Sequence, residues 1–186
     1  MNAGKYIFSQ LVSFLPKRVF DGIVKRHEGD KWVKHFTCWN QLLVMMFGQL
    51  AGCDSLREVA AIIDAIKSKS YHLGFGNGDI KLSNLSYANA NRDYRVFEDF
   101  AYHMINLAQS KRITRTFTFL ANDFTIKAKD IAMLYTQRWQ VELFFRWIKQ
   151  HLRVLSFWGT SENAVRIQIY VAVISYCLVA IVEHDY

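Results

Sequence analysis

One stretch of the chain, KRITRTFTFL at 111–120, alternates side chains with the period of two that a strand needs, Ile113, Arg115, Phe117 and Phe119 being interleaved with threonines. A strand without partner strands is not stable in water. The core of any fold this chain adopts must therefore be built mainly from helices, and the pattern elsewhere agrees. Residues 8–28 predict two short helices broken at Pro16, the only proline. Cys38 to Leu50 predicts a longer apolar helix ending near Gly52, and Asp54 or Ser55 can cap a helix through LREVAAIIDAI, whose apolar spacing is close to 3.6. The turn GFGNGD at 74–79 does not follow a strand and is read as a loop rather than a phosphate cradle. Ser83 can cap NLSYANANR, and Tyr94 to Ser110 completes an all-helical first 110 residues.

Beyond the strand-like segment, Asn122 or Thr125 opens a helical region at 127–151, LRVLSFWGT forms a connection, and Ser161 caps a last helix to about Val182. The most apolar run, Ile169 to Val182, is interrupted by Tyr and Ser and is shorter than the ~20 residues of a membrane span. It reads as a buried helix, and no membrane partner is expected. With 52% hydrophobic residues the chain can fill a core. Cys38, Cys53 and Cys177 form no CxxC pair, and the six histidines are scattered without HExxH or i, i+4 spacing, so neither a zinc site nor a disulfide framework is indicated. The N-terminus lacks the charged end, apolar run and cleavage site of a secretory signal, which makes a cytoplasmic location the default. The net charge of +7 favours an anionic partner, nucleic acid first and an anionic membrane surface second. Residues 111–186 carry 10 Lys+Arg against 6 Asp+Glu and are the more basic part per residue.

The segment YTQRWQVELFFRWIKQ at 135–150 concentrates the chemistry. On a helix, Tyr135, Arg138, Glu142 and Lys149 fall within an arc of about 60°, while Leu143, Phe144, Trp147 and Ile148 project from the other side. Arg138 and Glu142 are also an i, i+4 pair, which on a solvated surface contributes only ~0.2–0.5 kcal/mol to a helix. Spacing alone leaves both readings open. The order Tyr-x2-Arg-x3-Glu-x6-Lys, set in IAMLYTQRWQVELFFRWIKQHL and followed by FWGTSENAV, resembles the signature of bacterial insertion-sequence transposases of the Asp-Asp-Glu class, in the group named after insertion sequence four. The segments KYIFSQLVSFLPKRVFDGIV and KHFTCWNQLLVMMFGQL resemble the N-terminal helical domain of many such transposases.

The resemblance implies DNA transposition, in which three carboxylates hold two divalent ions, usually Mg2+, for strand cleavage and transfer at transposon ends. It assigns Glu142 as the catalytic, metal-binding carboxylate, and Tyr135, Arg138 and Lys149 as DNA-backbone contacts. Arg146 and Arg153, outside the signature, are further basic candidates nearby or, equally, solvated surface charges. The sequence departs from the family in lacking the two aspartates on ribonuclease-H-like strands. Asp123 and Asp130 are the only acidic residues between 111 and Glu142, and on a continuous helix Asp130 lies about 18 Å along and roughly 120° around from Glu142. The fold expected is mainly α: a helical N-terminal domain over 1–110, joined to a C-terminal remnant over 111–186, one strand plus helices of an incomplete ribonuclease-H-like domain.

Such an internally deleted transposase would bind Mg2+ weakly or not at all and cut no DNA alone. Its partners would be transposon-end DNA, a second copy or a full-length transposase. A second reading is a DNA-binding module without catalysis. In it the helices at 55–66 and 83–92 form a helix-turn-helix-like pair, and Asn84, Asn89, Asn91 and Arg92 reach DNA, asparagine suiting adenine. In a third, the deletion leaves the helices at 127–151 and 162–182 with exposed apolar surface and no cooperative fold.

Overall fold

The computed structural model describes residues 6–75, 80–110 and 157–185, together with Thr125, Lys127, Lys129, Asp130, Ile131, Met133 and Arg138. The described residues are mainly α. Seven α-helices are numbered here in chain order: α1 (Ile7–Val12), α2 (Lys17–Arg26), α3 (Cys38–Leu50), α4 (Leu56–Ala65), α5 (Leu82–Asn91), α6 (Arg95–Ser110) and α7 (Glu162–Asp185). A short 3-10 turn, Lys67–Lys69, follows α4 and was not anticipated from the pattern. There is no strand among the described residues, and the strand expected at 111–120 lies outside them.

Local chemistry explains most of the boundaries. Pro16 separates α1 from α2, because its ring cannot continue the first helix but suits the start of the second. Thr37 caps α3, its hydroxyl accepting from the Asn40 N–H at 3.2 Å. Gly52 ends that helix at φ +72, a conformation that costs glycine nothing. At α4 the cap is Ser55: its Oγ accepts from the Glu58 N–H at 3.2 Å, while the Glu58 carboxylate reaches back to the Asp54 N–H at 2.7 Å. One donor of the first turn and one just before the cap are satisfied in a single exchange. Ser161 caps α7 through the Ala164 N–H at 3.2 Å. Ser83 does not cap α5; that helix starts two residues earlier than expected, at Leu82, after Lys81, which makes no side-chain cap.

Helix α3 is the centre of the molecule. Cys38, Gln41 through Met46, Gly48 and Gln49 are all buried, so the helix has almost no solvent face and is packed by α2, α4 and α7. Two aromatic clusters flank it. Phe20 of α2 meets Trp39 at 5.4 Å and Phe100 of α6 at 4.9 Å between ring centroids, both edge to face, and Phe97 lies 6.3 Å away. Phe8 of α1, Phe47 of α3 and Phe75 form the other, with centroids 5.4–5.7 Å apart. Such geometries contribute about 0.5–1.5 kcal/mol per pair beyond area burial. All three cysteines are buried and outside any disulfide, and burial pushes the Cys38 thiol well above its ordinary range, as an inert core thiol requires.

The last helix corrects two expectations. It runs to Asp185, past Val182, and the stretch Glu162–Glu183 is by length and composition apolar enough to cross a membrane. Half of its apolar window is buried within the fold. Its contacts are with α6, α3, α5 and α1, where Ile167, Val171, Ile174, Leu178 and Ile181 enter the same core as the N-terminal helices. The apolar face expected to be stranded by missing sheet strands is instead covered by α6 and α3. Each such side chain taken out of water contributes roughly 1.5–3 kcal/mol.

Candidate nucleic-acid interface

Of the four signature positions, Arg138 is described: it is helical and its side chain is exposed, as a phosphate contact requires. Lys127, Lys129 and Asp130 are also exposed, and the Asp130 N–H donates to the Lys127 carbonyl at 2.9 Å in the first turn of a helix. Tyr135, Glu142 and Lys149 lie outside the described residues, as do Arg146, Arg153 and Asp123.

The asparagine-rich helix α5 does not offer the DNA-reading face expected of it. Asn89 is 2% exposed; its Oδ1 accepts from Gln41 Nε2 at 2.6 Å and its amide faces Met45 Sδ at 3.3 Å. Arg92 is turned inward as well. Its guanidinium donates to Gln41 Oε1 at 2.9 Å and to the Phe36 carbonyl at 2.6 Å, and it stacks over the Phe36 ring at 5.8 Å. Asn91 bonds its own helix at the Tyr87 carbonyl, and Asn84 remains exposed. Asn163 of α7 closes the group, donating to the carbonyls of Asn89 and Arg92 at 2.9 and 2.8 Å. This is a structural network that registers α3, α5 and α7 against one another, because a buried amide left without a partner would cost about 1–3 kcal/mol. Nor are α4 and α5 a helix-turn-helix pair: the 3-10 turn and a buried loop residue, Phe75, intervene where a 3–4 residue turn is required.

A basic, exposed face lies instead on α2 and the loop that follows it. Residues 17–35 carry six Lys or Arg against three Asp or Glu. The loop is tightly built. Glu28 sits at φ +50 in a helix-ending turn, where the Gly29 N–H returns to the Val24 carbonyl at 2.9 Å and the Glu28 N–H to Lys25 at 3.3 Å. A Cβ on Gly29 would stand 2.8 Å from Cys38 Sγ and 3.1 Å from Val96 Cγ2, so only glycine lets the loop lie against α3 and α6. Asp30 accepts the Cys38 N–H at 2.6 Å, fixing the loop to the start of α3. Lys31 pairs with Glu28 at 2.7 Å, whereas Arg18, Lys25 and Lys34 make no ion pair among the described residues. Trp32 projects from this loop, 90% exposed. Sequence reasoning passed over it; the signal was an aromatic set among cations, KWVKH.

Several charges are paired within the fold, Lys17 with Asp21 on α2 among them. Arg95 holds Asp93 at 2.6 Å and draws its carboxyl below the usual range by hydrogen bonding. Arg166 pairs with Glu162 at 2.6 Å and covers the Tyr94 ring at 4.7 Å. His27 and Arg26 converge on Asp99 at 2.8 and 3.2 Å. Tyr170 donates to Glu98; burial first, and that hydrogen bond second, push its phenol up to about 12.

Residues 3–76 match a family model described as Domain of unknown function (DUF4372). Over 66 residues the chain is 54% identical to a protein of Sinorhizobium fredii named as a transposase, an overlap of 36% of this chain and 18% of that protein. It is 48% identical over 64 residues to the protein of Geobacillus stearothermophilus named as the transposase for insertion sequence element IS5377, covering 34% of this chain and 17% of the relative. It is 25% identical over 116 residues to a Synechocystis protein named as the transposase for insertion sequence element IS4SA, covering 62% and 30%. The chain is thus similar to insertion-sequence transposases and spans less than a third of the length of each of these relatives. No solved structure matches it.

Proposed function

We propose that this chain is a DNA-binding polypeptide of the insertion-sequence transposase type, of the Asp-Asp-Glu class and the insertion sequence four group, internally deleted and without strand-cutting activity of its own. The observation that carries this reading is the 48–54% identity to named transposases over about a third of the chain. The signature at Tyr135, Arg138, Glu142 and Lys149 supports it, as does the exposure of Arg138. The junction near residue 110 is then one of ancestry, with 1–110 from the N-terminal region and 111–186 from the catalytic region. Transposon-end DNA is the partner, with a second copy or the full-length transposase as further ones.

Mg2+ chemistry does not fit the carboxylates present. A two-metal centre needs several hard oxygens converging, because Mg2+ gives up its water reluctantly. Glu142 is one carboxylate; Asp130 is exposed in the first turn of a helix, twelve residues earlier. No cleavage step is therefore assigned to the isolated chain. Its function would be occupancy of DNA, in competition with a complete transposase.

Two measurements test this. Incubation of the purified chain with transposon-end DNA and Mg2+ or Mn2+ should leave the strands intact; nicking that disappears in Glu142→Ala overturns the inactive reading. Gel-shift titration across a salt series should show binding that weakens steeply with salt, the mark of phosphate contact. Absence of binding at low salt removes the DNA reading altogether.

A further inference from the structure

We propose that Trp32 is a nucleobase-stacking residue, presented by the 28–36 loop to an unpaired base of a DNA strand whose phosphates are held by Lys34 and the neighbouring cations. The inference rests on the DNA-binding reading above and gives it a contact point.

Three independent observations carry it. Among the described residues Trp32 is the most exposed of the large hydrophobic side chains, at 90%, and its ring makes no aromatic or cation contact with any of them. A tryptophan that contributes nothing to the core of its own chain leaves a large apolar face in water. Second, its backbone is at φ +63, the left-handed region that bulky residues rarely occupy. The similar conformation of Glu28 belongs to the end of α2; that of Trp32 belongs to the turn over 30–33, at a position that glycine or asparagine usually fills. It is maintained from both sides, by the Lys31 N–H on the Glu28 carbonyl at 2.9 Å and the Val33 N–H on the Asp30 carbonyl at 3.0 Å. Strain of this kind persists where the surroundings over-determine it, and here the outcome is an indole directed away from the fold. Third, the loop is rigidly seated: Gly29 lies against Cys38 and Val96, Asp30 holds the start of α3, and Arg92 holds the Phe36 carbonyl. The ring is carried by a fixed platform.

Charge selects the occupant. Protein–protein contacts deplete lysine around an aromatic anchor. Here Lys31, Lys34 and His35 are all exposed neighbours of Trp32 in the sequence, Lys34 makes no ion pair among the described residues, and Lys25 and Lys31 line a depression that they share with Asp21, Glu28 and Asp30. An aromatic face set among cations is the arrangement that holds single strands, since every base offers a π face and every nucleotide a phosphate. Asp21 is paired with Lys17 and Glu28 with Lys31, and Asp30 is turned to the Cys38 N–H, which leaves Lys25 and Lys34 as the cations here that no ion pair offsets among the described residues.

The experiment uses the full chain, a single-stranded oligothymidine and a blunt duplex of the same length, with Trp32→Ala, Trp32→Phe, Trp32→Gly and Lys34→Ala. Trp32→Ala should weaken binding to the single strand on the order of tenfold, and Trp32→Phe less, because a smaller ring still stacks. Blunt-duplex affinity should change by less than about twofold, the bases there being already stacked. Trp32→Gly relieves the left-handed backbone, so it should melt no lower than the parent while losing the same single-strand affinity; a merely structural role moves these together. Lys34→Ala should weaken both DNAs and lower the salt slope by about one. Unchanged single-strand binding in all three Trp32 variants, with the parent binding well, overturns the stacking role and leaves DNA binding standing. Loss of self-association in Trp32→Ala, at unchanged DNA affinity, makes the ring a protein contact and also overturns it. A parent that binds neither DNA at low salt overturns the DNA reading itself.

Discussion

Replacing Gly48 by alanine should destabilise the protein, although alanine is the better helix former. An alanine Cβ built at Gly48 would stand 2.4 Å from Val59 Cγ2, 3.3 Å from Val59 Cγ1 and 3.0 Å from Trp158 Cη2. Carbon atoms prefer roughly 3.5–4.0 Å, so one of the neighbours has to move by about an ångström. Val59 cannot do so cheaply: it is fully buried on α4, and a β-branched side chain in a helix has one strongly preferred rotamer. The whole of α4 must back away from α3. Overpacking of this kind costs ~1–3 kcal/mol, against ~1 kcal/mol gained from the glycine-to-alanine change in helix propensity. The net is about 1 kcal/mol of destabilisation, which for a chain of this length lowers Tm by roughly 2–4 °C. Gly22, in the exposed middle of α2, is the control, because a Cβ there would meet nothing within 4 Å. Only the propensity gain remains, and Gly22→Ala should raise Tm by about 2–4 °C. Circular-dichroism melts of the parent and both variants decide the matter. A Gly48→Ala protein melting at or above the parent refutes the close approach of α3 and α4 and the reasoning built on it.

Two further expectations follow from the buried contacts. Asn89→Leu should cost about 1–3 kcal/mol in urea unfolding, because Gln41 Nε2 then loses its partner inside the fold, whereas Asn84→Ala on the exposed side should stay within about 0.5 kcal/mol. Tyr170 is neutral when it donates to Glu98, and its pKa is raised from the ordinary 10 to about 12. The stability it contributes is complete below pH 10 and is lost as pH rises through about 12; urea midpoints compared near pH 8 and near pH 11 should fall less in Tyr170→Phe than in the parent.

Features encoded by neighbours in sequence were legible. The α4 start could be read from Ser55 and Glu58 three residues apart, and the α1–α2 break from Pro16, since each effect acts within one turn. Asn89 and Arg92 were misread because what buries them is Gln41 and Phe36, about fifty residues away, and a polar side chain carries no local mark of being inside. The last helix was drawn three residues short, as the polar residues after Val182 end its apolar run without ending its backbone hydrogen bonds. Trp32 escaped notice for a related reason: left-handed backbone is ordinarily announced by glycine or asparagine, and here neither stands at the position. Of the signature positions, Arg138 is helical with an exposed side chain.

The long-range seat of α7 sets the order in which this protein can acquire its structure. The Gln49 amide waits for the Gln168 carbonyl, 119 residues later in the chain, and the Ser175 hydroxyl lies further along still. During synthesis, the oily surface of α3 is made well before α7, which covers one side of it. A ribosome that stalls before Glu162 would carry a product with that side of α3 bare, an obvious substrate for chaperones and proteases, whereas one that has passed Asp185 carries a chain able to close it.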